Sequence, residues 1–284
     1  MIDLVIIGGG PAALSAAIYA ARAGLEVKVY ERGSFGGILP NIPLLENYPG
    51  YSGEGAGLAE VMRRQAEQAG AKLEYGECTL VKVAADATFQ LEIDGEMAKA
   101  RSVLVATGSR PRELSFTPSA PVSYCALCDG PLVKGKKVAV IGGANSAVQE
   151  ALFLAKIAQT VTIITHSELK ADAKLQNQLS HYPNIRVIEH LEPNPENLQD
   201  YDHVFVYIGK LPATDFLQDL AKEYAILGRD GYVLADTENP ELPHQTVLEG
   251  LFAAGDVRTG ATKQAIVAAA DGAEAAIEIA KYLK

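Results

Sequence analysis

Residues 2–7 form a nearly unbroken apolar run that stops at Gly8-Gly9-Gly10. The pattern predicts a strand there, a helix over 11–23, and a second strand over 26–30 that finishes on Glu31. Turn-rich loops follow at Gly36-Gly37 and Glu46-Asn47-Tyr48-Pro49-Gly50, then a helix over 57–69 and strands over 72–75, 79–84 and 89–93. Residues 102–105 read as a buried strand ending on the small-residue turn Ala106-Thr107-Gly108. Residues 137–141 again run into glycines, a helix is expected near 170–181, and strands near 185–188 and 203–208. The chain closes with a strand reaching Gly255-Asp256 and a small-residue helix over 263–283.

One stretch of this pattern occurs twice: residues 5–31 lie without a gap on residues 139–165. Gly8 falls on Gly142, Ala13 on Ala147, Val27 on Val161 and Val29 on Ile163. Strand, glycine turn, helix, strand and acid is the order a dinucleotide requires. The glycines let the backbone approach a pyrophosphate at the helix N-terminus, and the acid takes the ribose hydroxyls. Gly8, Gly10, Pro11, Ala12, Ala13 and Glu31 fill those places in the first copy. The second copy, through Gly142, Gly143, Ala144, Asn145 and Ser146, departs twice: Ala144 falls on Gly10 and Thr165 on Glu31. A methyl there crowds the pyrophosphate, and a threonine is a poorer ribose partner than a carboxylate.

The expected fold is therefore α/β, with two Rossmann-like dinucleotide-binding domains. Prolines and serines over 110–121 have the composition of a linker, and Pro240 and Pro243 mark a second one over 238–244. A strand ending in Gly-Asp needs a sheet to join, which assigns the tail to the first domain. The expected division is 1–114 with 241–284, and 115–240 as an insertion.

The insertion carries the candidate chemistry, Cys125-Ala126-Leu127-Cys128-Asp129-Gly130. Two thiols at this spacing close a small disulfide that a two-electron donor opens, and Asp129 is placed to protonate or deprotonate the departing sulfur. A zinc site and a structural bridge are the competing readings. Zinc requires four ligands, whereas the other cysteine is Cys78, and His166, His181, His190, His203 and His244 show no finger-like spacing. A lone structural bridge is uncommon in a chain of 284 residues. Cys78 reads as a small core residue, and His181 and His190 as solvated side chains.

Composition narrows the class of partner. The length suits two domains, and a net charge of −10 argues against a nucleic-acid surface. The apolar stretch 4–21 has membrane-spanning length, but Gly8-Gly9-Gly10-Pro11 breaks it, and Met1 runs into a strand without a basic leader. A cytoplasmic protein without metal is expected.

In order and spacing, across nearly the whole chain, these residues resemble the low-molecular-weight thioredoxin reductases of the two-dinucleotide-binding-domain flavoprotein superfamily. The resemblance rests on Gly8-Gly9-Gly10-Pro11-Ala12, Gly36-Gly37, Glu46 to Gly50, Ala106-Thr107-Gly108, the cysteine motif, Gly142-Gly143, Phe252-Ala253-Ala254-Gly255-Asp256 and Lys263-Gln264-Ala265. It implies FAD in the first domain, with Gly36, Gly37, Thr107, Gly108, Gly255 and Lys263 in its site. Asp256 is then at the ribityl chain, Gln264 and Ala265 near the flavin ring, and Asn47 in the flavin pocket. It also implies a homodimer whose second domain rotates to present either nicotinamide or cysteines to the flavin. One flavin face cannot meet both at once, which by itself requires motion. Electrons would pass from nicotinamide to flavin to Cys128 and Cys125, then to thioredoxin or a related redoxin, with Asp129 as general acid.

Members of that family specific for NADPH carry His-Arg-Arg-x-x-x-Arg after the second strand of the inserted domain. Here the aligned residues are Ile164-Thr165-His166-Ser167-Glu168-Leu169-Lys170, so both paired arginines are gone. Thr165, His166 and Lys170 remain as candidates to contact the adenosine end. Losing a bidentate arginine contact to phosphate removes about 1.5–3 kcal/mol, which favours NADH over NADPH. The segment Leu169-Lys170-Ala171-Asp172 looks more like the NADH-using flavoprotein subunit of alkyl hydroperoxide reductase. Two further readings stay open: an FAD enzyme fed by ferredoxin or flavodoxin or oxidising dithiols with oxygen, and a flavin-loaded redox sensor.

Overall fold

The computed structural model describes residues 1–284 except Pro43, Thr237 and the side chain of Cys128. In chain order the elements are β1 (Ile2–Ile7), α1 (Pro11–Arg22), β2 (Val27–Glu31), β3 (Leu45–Tyr48), β4 (Tyr51–Gly53), α2 (Gly55–Ala69), β5 (Lys72–Tyr75), β6 (Cys78–Val83), β7 (Phe89–Ile93) and β8 (Glu96–Val105). There follow β9 (Ser109–Pro111), β10 (Val122–Ser123), α3 (Ala126–Asp129), β11 (Lys137–Ile141), α4 (Asn145–Leu154), β12 (Thr160–Ile164), α5 (Ala173–Leu179), β13 (Ile185–Ile188), α6 (Pro195–Leu198), β14 (His203–Val206) and β15 (Lys210–Pro212). The last are α7 (Gln218–Glu223), β16 (Leu251–Ala253) and α8 (Ala265–Tyr282). The chain divides into two compact units, Met1–Ser109 with Pro212–Lys284, and Arg110–Leu211. No helix among the described residues is long and apolar enough to cross a membrane.

The first unit is built on a sheet in the order β5-β2-β1-β8-β7-β6, with β16 also paired to β8. Its strands are parallel around β1 and antiparallel through β6, β7 and β8. β1 turns Leu4 and Ile6 to the face covered by Ala13, Ala17 and Ile279, and Val5 and Ile7 to the face holding Phe89, Val103 and Leu251. A strand covered on both faces needs apolar residues at every position, which is why the sequence shows a run there and no alternation. The second unit's sheet, β10-β14-β11-β12-β13, is parallel throughout. Both copies of the repeat keep one register: Leu4 pairs with Val27, and Val138 with Val161. Beyond the repeat the copies diverge, since β5 passes to β8 by the antiparallel pair β6-β7, whereas β13 passes to β14 by α6.

The points at which the chain crosses between units differ from the sequence expectation. The first is at Ser109/Arg110, and the return is at Leu211/Pro212, well before the prolines of 238–244. Leu217, Leu220, Ile226 and Val233 fill the sheet face beside Val5 and Val105, and that burial holds residues 212–240 with the first unit. Proline marked a loop inside the unit, and composition alone does not distinguish such a loop from a linker.

That loop contains His244, which is buried between two carboxylates of α8. Its Nδ1 is 2.6 Å from Glu278 Oε1 and its Nε2 is 2.9 Å from Asp271 Oδ1. Its backbone N–H donates to Glu278 Oε2 at 2.9 Å. Both ring nitrogens donate at once only in the imidazolium form. Burial alone would lower the His244 pKa, but the hydrogen bonds to Asp271 and Glu278 outweigh it and push it up to about 9. A raised pKa stabilises the fold fully below the ordinary histidine value, and that contribution is lost as pH rises through about 9. His244→Gln is therefore expected to cost about 3–5 kcal/mol near neutral pH in denaturant unfolding. The gap to wild type should narrow in alkali; an equal gap on both sides of the transition would contradict the assignment.

Candidate active site

β1 delivers the chain to Gly8, where φ is +105° and a side-chain carbon would lie 2.4 Å from the Ala106 carbonyl oxygen beyond β8. Glycine alone tolerates that approach. Glu31, at the end of β2, is anchored to the same turn: Gly9 donates its N–H to Oε2 at 2.5 Å, and Gly33 donates to Oε1 at 2.6 Å. Gly10 caps α1 with no side-chain hydrogen bond. Opposite it stands Gly37, at φ +60°, where a side-chain carbon would lie 3.1 Å from Gly10 Cα. In the first turn of α1 the N–H groups of Ala12 and Ala13 have no partner within the helix, and the positive end of the helix dipole lies there, next to the opposed glycines. A cavity of about 290 Å³ is bordered by Gly8, Glu31, Arg32, Glu77, Cys78 and Thr107. Burial pushes the Cys78 thiol up to about 12, and its Sγ is 3.5 Å from the Leu80 carbonyl oxygen.

Other predicted residues of this unit come together in pairs. Asn47 Nδ2 donates to Gln264 Oε1 at 3.2 Å, which joins the β3 strand to the residue that caps α8, ahead of Ala265. Thr107 Oγ1 donates to the Ala213 carbonyl at 2.7 Å, next to Gly108. Lys263 lies 4.0 Å from the Tyr232 ring centroid and donates to the Tyr232 hydroxyl. Gly255 and Asp256 open a single 3₁₀ turn directly after β16.

The second unit reproduces the glycine turn and changes its lining. A side-chain carbon at Gly142, φ +136°, would lie 2.4 Å from the Tyr207 carbonyl oxygen beyond β14, the counterpart of the Gly8 contact. Thr165, at the place of Glu31, is 3% exposed and packs against Gly143. Where Gly36 donates to the Gly9 carbonyl in the first unit, Lys170 donates to the Gly143 carbonyl, each at 2.7 Å. Ala144, Lys170 and Ala171 thus stand where the first copy has Gly10, Gly36 and Gly37. Asn145 and Asp172 tie this loop to α4 by two hydrogen bonds of 2.8 Å, and Leu169 N–H donates to Glu189 Oε1 at 2.8 Å. Ser146 and His166 are exposed at the rim.

Cys125 is half-buried and disulfide-bonded immediately before α3. The side chain of Cys128, its predicted companion, lies outside the described residues. Ala126 N–H donates to the Tyr207 hydroxyl oxygen at 2.7 Å. Burial holds that hydroxyl far above its ordinary pKa, reinforced by the charges of Glu150 and Asp129, and burial also raises Glu150. Ser123 Oγ lies 2.7 Å from His203 Nε2, and burial lowers the His203 pKa. The Asp129 charge thus acts on both Tyr207 and His203, and burial of each favours its neutral form. Sequence reasoning missed Tyr207, Glu150 and Ser123; Tyr207 reads as one more apolar strand position, and only its hydroxyl meeting α3 singles it out.

The pattern of the pyridine nucleotide-disulphide oxidoreductases matches residues 2–272. The chain belongs to that family. Membership makes it an oxidoreductase and flavoprotein of the thioredoxin reductase-like group, and implies FAD and a nicotinamide cofactor. A thioredoxin reductase from Treponema pallidum is 35% identical over 308 aligned positions, spanning 99% of this chain and 97% of the relative. A Pseudomonas putida alkyl hydroperoxide reductase subunit is 36% identical, across 99% of this chain and 58% of its own length. The crystal structure of a thioredoxin reductase from Streptococcus pyogenes matches with a TM-score of 0.82 at 31% identity, covering 100% of this chain and 98% of that one.

The family's flavin fits the first unit on its own geometry. The uncapped α1, the opposed glycines and the cavity walled by Glu31 leave room and donors for a diphosphate joined to a ribose. The second unit fits a dinucleotide less closely, because side chains replace glycine around its turn. Cys78, buried and protonated, is expected to resist iodoacetamide at pH 8 in the folded protein and to react on denaturation. Rapid labelling of Cys78 in the folded chain, read by peptide mass spectrometry, would contradict its burial.

Proposed function

We propose that the protein reduces the disulfide of thioredoxin or a related redoxin with electrons from a nicotinamide donor, NADH in preference to NADPH. Cys125, disulfide-bonded at the start of a helix whose Ala126 N–H is held by the Tyr207 hydroxyl, on which the Asp129 charge acts, is the observation that carries this reading. The first unit would hold FAD through Gly8, Gly10, Pro11, Ala12, Ala13, Glu31, Gly36 and Gly37, with Asn47, Thr107, Gly108, Gly255, Asp256, Lys263, Gln264 and Ala265 on the flavin side. Bound there, FAD supplies the two-electron exchange between the donor and the cysteine pair.

The residues of the second unit perform the exchange with the partner. A thiolate of the Cys125/Cys128 pair attacks the partner's disulfide, its companion closes the chain's own disulfide, and the partner leaves as a dithiol. Asp129 carries the proton that the leaving sulfur takes up. The preference for NADH is supported by Thr165 in place of arginine and by the Glu189 carboxylate held on the Leu169 N–H, since a 2′-phosphate would be repelled there. Both units have a separate core, which supports assigning flavin and dithiol to different domains. Homodimer formation and a cytoplasmic location remain part of the same proposal.

A second reading has its own observation. Ala144 keeps the extended backbone of Gly10, so its methyl points into the space that Gly10 leaves open above the helix. This favours an FAD enzyme that takes electrons from ferredoxin or flavodoxin, or that oxidises dithiols. Anaerobic mixing decides: NADH should bleach the flavin absorbance, faster than NADPH at equal concentration. No bleaching by either nucleotide would overturn the proposed donor. Separately, Cys125→Ser should retain bleaching and lower redoxin turnover by about 100-fold or more, and persistence of turnover would remove the pair from catalysis.

A further inference from the structure

Asp271 lies on α8 with its carboxylate fully engaged. Oδ2 accepts the Gly255 N–H at 2.6 Å and Arg258 Nε at 3.2 Å. Oδ1 accepts Arg258 Nη2 at 2.5 Å and faces His244 Nε2 at 2.9 Å. Two cations and two carboxylates, counting Glu278, therefore neutralise one another inside the first unit. Gly255, at φ +76°, is also held from its other side, since a side-chain carbon there would lie 2.8 Å from Ala12 Cβ. At Gly272, the residue after Asp271, such a carbon would lie 2.0 Å from the Ala12 carbonyl oxygen. Asp271 is thus part of the contact that seats α8 on the N-terminus of α1, and it holds the N–H of the residue immediately before Asp256.

Resting on the reading of the first unit as the flavin site, we infer that Asp271 is a positioning residue for that site. It acts through the Gly255 N–H to fix the turn carrying Asp256 against the first turn of α1. Arg258 and His244 keep the carboxylate ionised and aimed at the turn, so the turn does not drift when the cofactor is released. Glu278 shares His244 and touches neither Gly255 nor Arg258, so it anchors the loop without setting the turn.

The difference between the two carboxylates supplies the test. FAD is titrated into the full-length apoprotein, with binding read by fluorescence quenching and the bound spectrum by visible absorbance. Asp271→Asn is expected to raise the FAD Kd at least tenfold and shift the bound flavin spectrum. Glu278→Gln is expected to leave both within twofold of wild type while lowering the melting temperature. If circular dichroism shows Asp271→Asn unfolded, Arg258→Lys, which retains Asp271 but breaks the fork, should raise Kd three- to tenfold with the same spectral shift. Equal effects of Asp271→Asn and Glu278→Gln on Kd, or no effect of the folded Asp271 or Arg258 variant, overturn the inference and leave the flavin site standing. Wild-type apoprotein that binds no FAD overturns the flavin-site reading, and the inference with it.

Discussion

At Gly8 and again at Gly142 the chain leaves a central strand so close to the neighbouring strand's carbonyl that no side chain fits. The helix after each glycine turn must start directly over the end of the sheet, and its first N–H groups are left without an internal partner. That arrangement creates anion sites before any particular ligand is considered. The two copies separate in the next layer: opposed glycines and an anchored carboxylate in the first, methyls, Lys170 and a buried threonine in the second. A pyrophosphate needs room and donors together, so the two sites diverge in capacity while keeping one backbone.

The first unit also concentrates its buried charge in one place. Desolvation would penalise His244, Asp271, Glu278 and Arg258 singly, and the cluster is tolerable because each carboxylate oxygen meets a donor. Burial alone would raise the Asp271 pKa, but hydrogen bonds from His244, Arg258 and the Gly255 N–H hold it below the usual carboxylate value. Such a network contributes geometry more than stability, because a hydrophobic replacement could fill the same volume. Its geometric product is the Gly255 turn seated against α1.

Much of the fold was legible because parallel strands covered on both faces leave long apolar runs, and because the repeat fixed the order of strand, turn and helix. The first glycine turn was legible for a different reason: its close approach to the neighbouring backbone requires glycine at a fixed place. The return crossing was not, since Pro240 and Pro243 interrupt regular structure equally well inside a domain and between domains. His244 and Asp271 escaped for a related reason. One sits in an irregular loop and the other in a helix of alanines, and a charged partner distant in sequence leaves no periodic trace. Tyr207 was hidden because an aromatic residue following an apolar strand needs no explanation until its hydroxyl is seen to meet Ala126.

The proposed function puts a flavin in one unit and a redox-active disulfide in the other, which together would store a countable number of electrons. Anaerobic titration of the oxidised holoprotein with dithionite measures that number directly. Uptake of about four electron equivalents per chain, two for FAD and two for the cysteine pair, is expected. Saturation at about two, with full bleaching of the flavin and no new thiols, would contradict the pairing of flavin and dithiol on which the proposed function rests.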